Sequence, residues 1–117
     1  MLAFPVGFKI HLAIAAVDMR KGFNGLWTEV EQRLRMDPRQ GAVYAFSNRH
    51  RDRIKLLYWD GSGVWVLAKR LEKGRYTWPV ATVPGELQQP VSPELLTMIL
   101  AGIDLQKTRR KNWNIKN

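Results

Sequence analysis

Asp52-Arg53-Ile54-Lys55-Leu56-Leu57-Tyr58-Trp59-Asp60-Gly61-Ser62-Gly63-Val64-Trp65-Val66-Leu67-Ala68-Lys69-Arg70-Leu71 sets the architecture of this chain. On its first arm Ile54, Leu56 and Tyr58 alternate with Arg53, Lys55 and Leu57, the two-residue period of a half-buried strand. Asp60-Gly61-Ser62-Gly63 then supplies a turn, because glycine takes positive φ without steric cost. Val64 to Leu71 returns as the partner strand. Upstream, Ala42 to Ser47 reads as a short strand and Asn48 to Asp52 as a polar turn. Downstream, Glu72-Lys73-Gly74 turns again before Arg75 to Trp78, which stops at Pro79. Consecutive hairpin connections of this kind predict an antiparallel meander.

The flanks supply helices. Phe8 to Val17 reads as a strand ending at Asp18, a good N-cap residue. From there Phe23, Leu26, Trp27, Val30 and Leu34 recur at helical spacing to about Arg35. Asp37 to Gly41 is a loop, since Pro38 cannot continue a helix. Val80 to Pro93 holds Pro84, Pro90 and Pro93 with little periodicity and reads as loop. Ser92-Pro93-Glu94 opens a second helix, with Leu95, Leu96, Ile99, Leu100 and Ile103 as its apolar stripe. The expected fold is α+β: one domain over residues 1–105, an antiparallel β-meander packed against an N-terminal and a C-terminal helix. Residues 106–117 are expected to be a basic, mobile tail.

Composition narrows the function classes. At 117 residues, 45% apolar and 25% charged, the chain can build one modest core and is unlike a disordered sequence. It has no cysteine, which removes disulfides, thiolate metal sites and a Cys nucleophile. No apolar run approaches the ~20 residues of a membrane helix, and the N-terminus is a poor signal peptide, so the expected setting is the cytoplasm with no membrane partner. Net charge is +9, concentrated in the hairpin region and the C-terminal tail. Between Ser47 and Trp78 eight cations face only Asp52, Asp60 and Glu72. Such asymmetry favours a polyanion, most commonly a nucleic acid.

Cations interleaved with rings are the pattern of a nucleic-acid surface, the cations on phosphate and the rings on bases. Arg20, Lys21, Arg49, Arg51, Arg53, Lys55, Lys69, Arg70, Lys73 and Arg75 are the candidate phosphate contacts, with Tyr58 and Trp59 as the exposed rings. The same alternation also describes a sheet with a wet face and Trp59, Trp65 and Trp78 packed inward. Around Gly22 and Gly25 the backbone is able to approach a phosphate at a helix start, or equally to pack tightly on a sheet. A catalytic centre is not expected. The ten acids are scattered, His11 and His50 are the only imidazoles, and no serine sits in a nucleophile elbow. No cofactor and no metal ligand set is indicated.

Val17-Asp18-Met19-Arg20-Lys21-Gly22-Phe23-Asn24-Gly25-Leu26 resembles the signature of the TnpB-type accessory protein, the second open reading frame of bacterial insertion sequences of family sixty-six. Asp52 to Gly61 and Ala68 to Pro79 agree with it, as does the Leu95 to Asp104 helix ending Gly102-Ile103-Asp104. The match runs from about Pro5 to Asp104. Asn24 stands where the family has Asp, and Leu105 where an aromatic is common. The resemblance implies a non-catalytic partner of a DDE-type transposase. DNA, or the transposase itself, is then the expected partner of the basic surface. An adaptor that docks on the transposase without touching DNA is the alternative, and an edge strand of the meander is open to pairing in a homodimer.

Overall fold

Five strands and two helices lie in the order β1 (Lys9–Ala13), α1 (Phe23–Thr28), β2 (Ala42–Ser47), β3 (Arg53–Trp59), β4 (Val64–Arg70), β5 (Gln88–Val91) and α2 (Pro93–Leu100). They belong to a computed structural model that describes residues 8–105. The tail expected at 106–117 lies outside the described residues. The hairpin forms as its alternation requires, β3 pairing antiparallel with β4 from Arg53↔Arg70 to Trp59↔Val64. Its tip is held by Asp60, whose carboxylate accepts from the backbone N–H of Ser62 and Gly63, the Ser62 hydroxyl and Trp65 Nε1. These donors, the Ser62 amide foremost, hold the Asp60 carboxyl down at about 2.

The expected meander is correct only for β2, β3 and β4. The sheet is mixed, in the order β4-β3-β2-β1-β5. β1 lies parallel to β2, from Lys9↔Ala42 to Leu12↔Ala45, and β5 runs antiparallel along its other side. Parallel neighbours need a crossover of a dozen or more residues, and the segment carrying α1 is that crossover. Arg75 to Trp78 is not a strand. Its amide at Tyr76 donates to Arg51 O rather than to a neighbouring strand, leaving β4 at the edge of the sheet. β5 was hidden in the proline-rich stretch expected to be loop. Pro90 is tolerated there because β5 is the other edge strand, where one missing N–H leaves no ladder partner unpaired.

Alternation along the strands gives the sheet two apolar faces. On one, Ile10, Leu12, Val43, Ala45, Ile54 and Leu56 meet Leu96 and Ile99 of α2 together with Tyr76 and Trp78. On the other, Ala13, Tyr44, Phe46 and Leu57 meet Leu26, Val30 and Leu34. β2, central and buried at all six positions, separates them. Helix therefore covers both faces of one sheet, and the described residues form one domain. Ser92 caps α2 through its hydroxyl, which accepts from Leu95 N, a cap worth about 1 kcal/mol. Gly102, at φ 79, ends the helix with Ile103 N donating back to Met98 O.

The first helix starts later than its sequence suggests. Asp18 does not cap it. The Asp18 carboxylate instead accepts from the Arg20 amide and guanidinium, and α1 opens at Gly22 with no side-chain cap. Past Thr28 the helix widens into a π turn (Glu29–Arg33), with Leu34 N donating to Glu29 O. That shift keeps Leu26, Val30 and Leu34 buried, while Phe23 is left 55% exposed.

One half-buried titratable group makes the fold sensitive to pH. His11 stacks on Tyr44 at 5.5 Å, and its Nδ1 donates to Gln88 Oε1 at 2.7 Å, linking β1 to β5. Burial pushes the imidazole below its usual value of 6.5, against the opposing pull of the Gln88 hydrogen bond. The unfolded chain therefore binds a proton more readily than the folded one. Stability is expected to be full above pH 6.5 and to fall as pH drops below it. Melting temperatures across that window, compared with His11→Gln, check this. An identical pH slope in the variant would refute it.

Candidate nucleic-acid interface

β1 and β2 end, β3 begins and β4 ends on the same side of the sheet, so the connecting turns gather there. The turn at residues 48–52 is their hub. Asn48 Oδ1 accepts from the amides of Asp52 and Arg53, and Asn48 Nδ2 donates to Asp52 Oδ1. Outward from the turn, Leu71 N donates to Asp52 O and Tyr76 N to Arg51 O. Lys55 Nζ donates to Lys21 O at 2.9 Å, which holds the α1 entry segment against β3.

This gathering sorts the twelve expected contact residues. Arg49, Arg53, Arg70, Lys73 and Arg75 are exposed at the shared end of the sheet. Arg53 and Arg70 sit directly opposite one another across the ladder, a like-charge pair that costs stability in the isolated protein. Arg20 is at the same end but binds Asp18 with its guanidinium, Nη2 to Oδ2 at 2.7 Å, and this partner holds the Asp18 carboxyl down at about 2. Lys21 lies 3.7 Å from Glu29, which also forms an ion pair with Arg33 at 3.1 Å.

Three of the expected contacts have structural work. Lys55 is tied to Lys21 O. Lys69 Nζ donates to Leu100 O at 2.7 Å, placing a cation on the negative end of α2. Arg51 turns inward: Nη2 donates to Ile14 O and the guanidinium lies over the Trp78 ring at 5.5 Å. Burial lowers its pKa. The left-handed φ of 60° at Arg51 costs roughly 1–2 kcal/mol, and these contacts offset it. At Gly25 a Cβ would meet Lys21 Cβ at 3.0 Å, so the backbone packs tightly there, whereas the space beside Gly22 is open.

The rings do not accompany the cations. Tyr58 and Trp59 stand at the opposite end of β3 from Arg53, about 20 Å away at ~3.3 Å per residue. Both are half-buried. Tyr58 packs edge-on against Phe8 at 5.0 Å, and Trp59 edge-on against Trp27 at 5.8 Å. Trp65 is more exposed, at 46%, while Tyr76 and Trp78 are core. Along β3 the sequence pattern of cation beside ring is thus a product of strand alternation, and the fold separates Tyr58 and Trp59 from the exposed cations at the other end. Among the described residues no three His, Asp or Glu side chains come together as metal ligands, and no helix is long and apolar enough to cross a membrane.

Sequence reasoning also missed a cleft of about 780 Å³ between residues 73–80 and the 102–104 turn, floored by Tyr76, Trp78 and Pro79. Its walls include Arg51, Lys73 and Arg75. The alternation of Tyr76 and Trp78 reads as a strand and conceals it, whereas residues 75–78 are irregular backbone tied through Tyr76 N to Arg51 O.

Two proteins of Sinorhizobium fredii (strain NBRC 101917 / NGR234) are similar to the chain along most of their length. One, named uncharacterized protein y4jC, is 37% identical over 105 residues, spanning 90% of this chain and 87% of that protein. The other, uncharacterized protein y4hO, is 34% identical over 104 residues, spanning 89% and 88%. No solved structure matches. Residues 8–110 match the family described as IS66 Orf2 like protein, a span that contains the whole described sheet and its basic end. The chain therefore belongs to the IS66 Orf2 like family, whose members are accessory proteins of a transposable element.

Proposed function

We propose that this protein is a non-catalytic factor that assists a DDE-type transposase by binding DNA through the basic end of its sheet. Arg49, Arg53, Arg70, Lys73 and Arg75 contact phosphate, with Arg20 and Lys21 beside them. The observation that carries the reading is the direct opposition of Arg53 and Arg70, next to further exposed cations and without a carboxylate across the ladder. A polyanion relieves that repulsion, and a chain that keeps it in the free state is arranged for such a partner. The cytoplasm, where the element's DNA and transposase meet, is the setting. No step of bond-breaking chemistry is assigned to the protein.

A second reading rests on the opposite side of the molecule. β4 is an edge strand with Trp65 half-exposed on it, which suits strand addition by the transposase or by a second copy of this chain. Fluorescence anisotropy with a labelled duplex from the element's terminal repeat, beside a scrambled duplex and across a salt series, separates the two. Binding whose logarithm falls steeply with the logarithm of salt supports the DNA reading. No binding to either duplex at physiological salt overturns it in favour of the adaptor.

A further inference from the structure

We infer that the cleft between residues 73–80 and the 102–104 turn takes the terminal phosphate of a DNA strand, an inference that rests on the DNA reading above. At about 780 Å³ the cleft has the size of a small-ligand site. It is too small to enclose a duplex, so what enters it is a single projecting group. The group that enters must project from a chain, as a strand end does.

Charge favours the same ligand. Among the described residues, Arg51, Lys73 and Arg75 line the cleft with one carboxylate, Asp104, leaving an excess of positive charge. A terminal phosphate carries about −1.5 to −2 at neutral pH, whereas an internal phosphodiester carries only one negative charge. Nη2 of Arg51 is spent on Ile14 O, but Nη1 is buried and makes no hydrogen bond. An atom sealed from solvent is sealed from a ligand in the cleft as well, so Arg51 lends its charge there and the exposed Lys73 and Arg75 make the direct contacts. The Arg51–Trp78 contact and the tie between Tyr76 N and Arg51 O hold the wall of the cleft in place, so little ordering is needed on binding. Lys69, bonded to Leu100 O, offsets the negative end of α2 that borders the site.

The test uses a labelled duplex with a short overhang, made with either a 5′-phosphate or a 5′-hydroxyl and otherwise identical. The full chain is expected to bind the phosphorylated end about tenfold more tightly, one charge-assisted contact's worth. In Lys73→Ala/Arg75→Ala, two exposed positions, the preference is expected to vanish while the fold, followed by its melting temperature, is kept. Equal affinity for both ends in the unaltered chain overturns the inference and leaves the DNA reading standing. Failure to bind either duplex removes both. Micromolar inorganic phosphate that erases the difference would instead assign the cleft to a free anion.

Discussion

Trp78→Ala is expected to destabilise the protein by about 3–5 kcal/mol, the range for deleting a buried tryptophan side chain. The ring is 7% exposed and packs with Leu96, Ile99 and Leu105 on the α2 face of the sheet. Its Nε1 donates to Ala13 O at 2.9 Å, tying the irregular segment after β4 to the end of β1. Truncation leaves a cavity, an unpaired carbonyl and no platform under Arg51. A domain of this size is stable by only ~5–15 kcal/mol, so much of its margin would go. In urea the midpoint should fall by about 2 M with the slope unchanged. Trp78→Phe keeps most of the ring and loses the donor, and should cost about 1–2 kcal/mol. A loss below about 1 kcal/mol for the alanine variant would mean that the ring is not part of the core.

Arg53→Gln/Arg70→Gln is expected to move stability and binding in opposite directions. Removing two like charges that face each other across the ladder should raise stability by a few tenths of a kcal/mol. Removing two phosphate contacts should lower the salt slope by about two and weaken DNA binding roughly fiftyfold at 0.1 M salt. The weakening should be similar for repeat and scrambled duplexes, because phosphate contacts carry no sequence information. Lys69→Gln is the contrasting case, since its ammonium is already bonded to Leu100 O. It should leave the salt slope nearly unchanged. If the two variants shift the slope equally, the basic end has no special role.

What could be read from the sequence was local. The β3–β4 hairpin, the short β2 and the Ser92 cap of α2 are set by neighbours within a few residues: alternation, glycines in a turn, a hydroxyl before a proline. What escaped was set across the chain. β5 is Gln-Gln-Pro-Val, with no alternation to betray it, and is a strand only because β1 offers an edge. Tyr76 and Trp78 alternate like strand residues, yet α2 and Arg51 claim them for the core. For the candidate site, Arg53, Lys55, Lys69 and Arg70 fall on the strands expected for them. Arg75 belongs to an expected strand that does not form, and Arg20 and Lys21 precede the helix rather than start it. The separation of the cations from Tyr58 and Trp59 follows from strand direction rather than composition. The inward turn of Arg51 depends on a left-handed φ that no residue type at that position announces.

The position of β1 between β2 and β5 has a consequence for how the molecule is made. β3 and β4 meet across a four-residue turn, and β2 joins them across a short one, so this half of the sheet is able to form early. β1 leaves the ribosome before any of them, yet its partner in β5 lies far along the chain, with His11 opposite Pro90. Contacts so distant in sequence are slow to close. During refolding, pulse-labelled hydrogen exchange should protect Leu56 and Leu67 before Leu12. Among the described strands the earliest in the chain is thus the last to be enclosed, and it waits beside an unfinished sheet until β5 arrives.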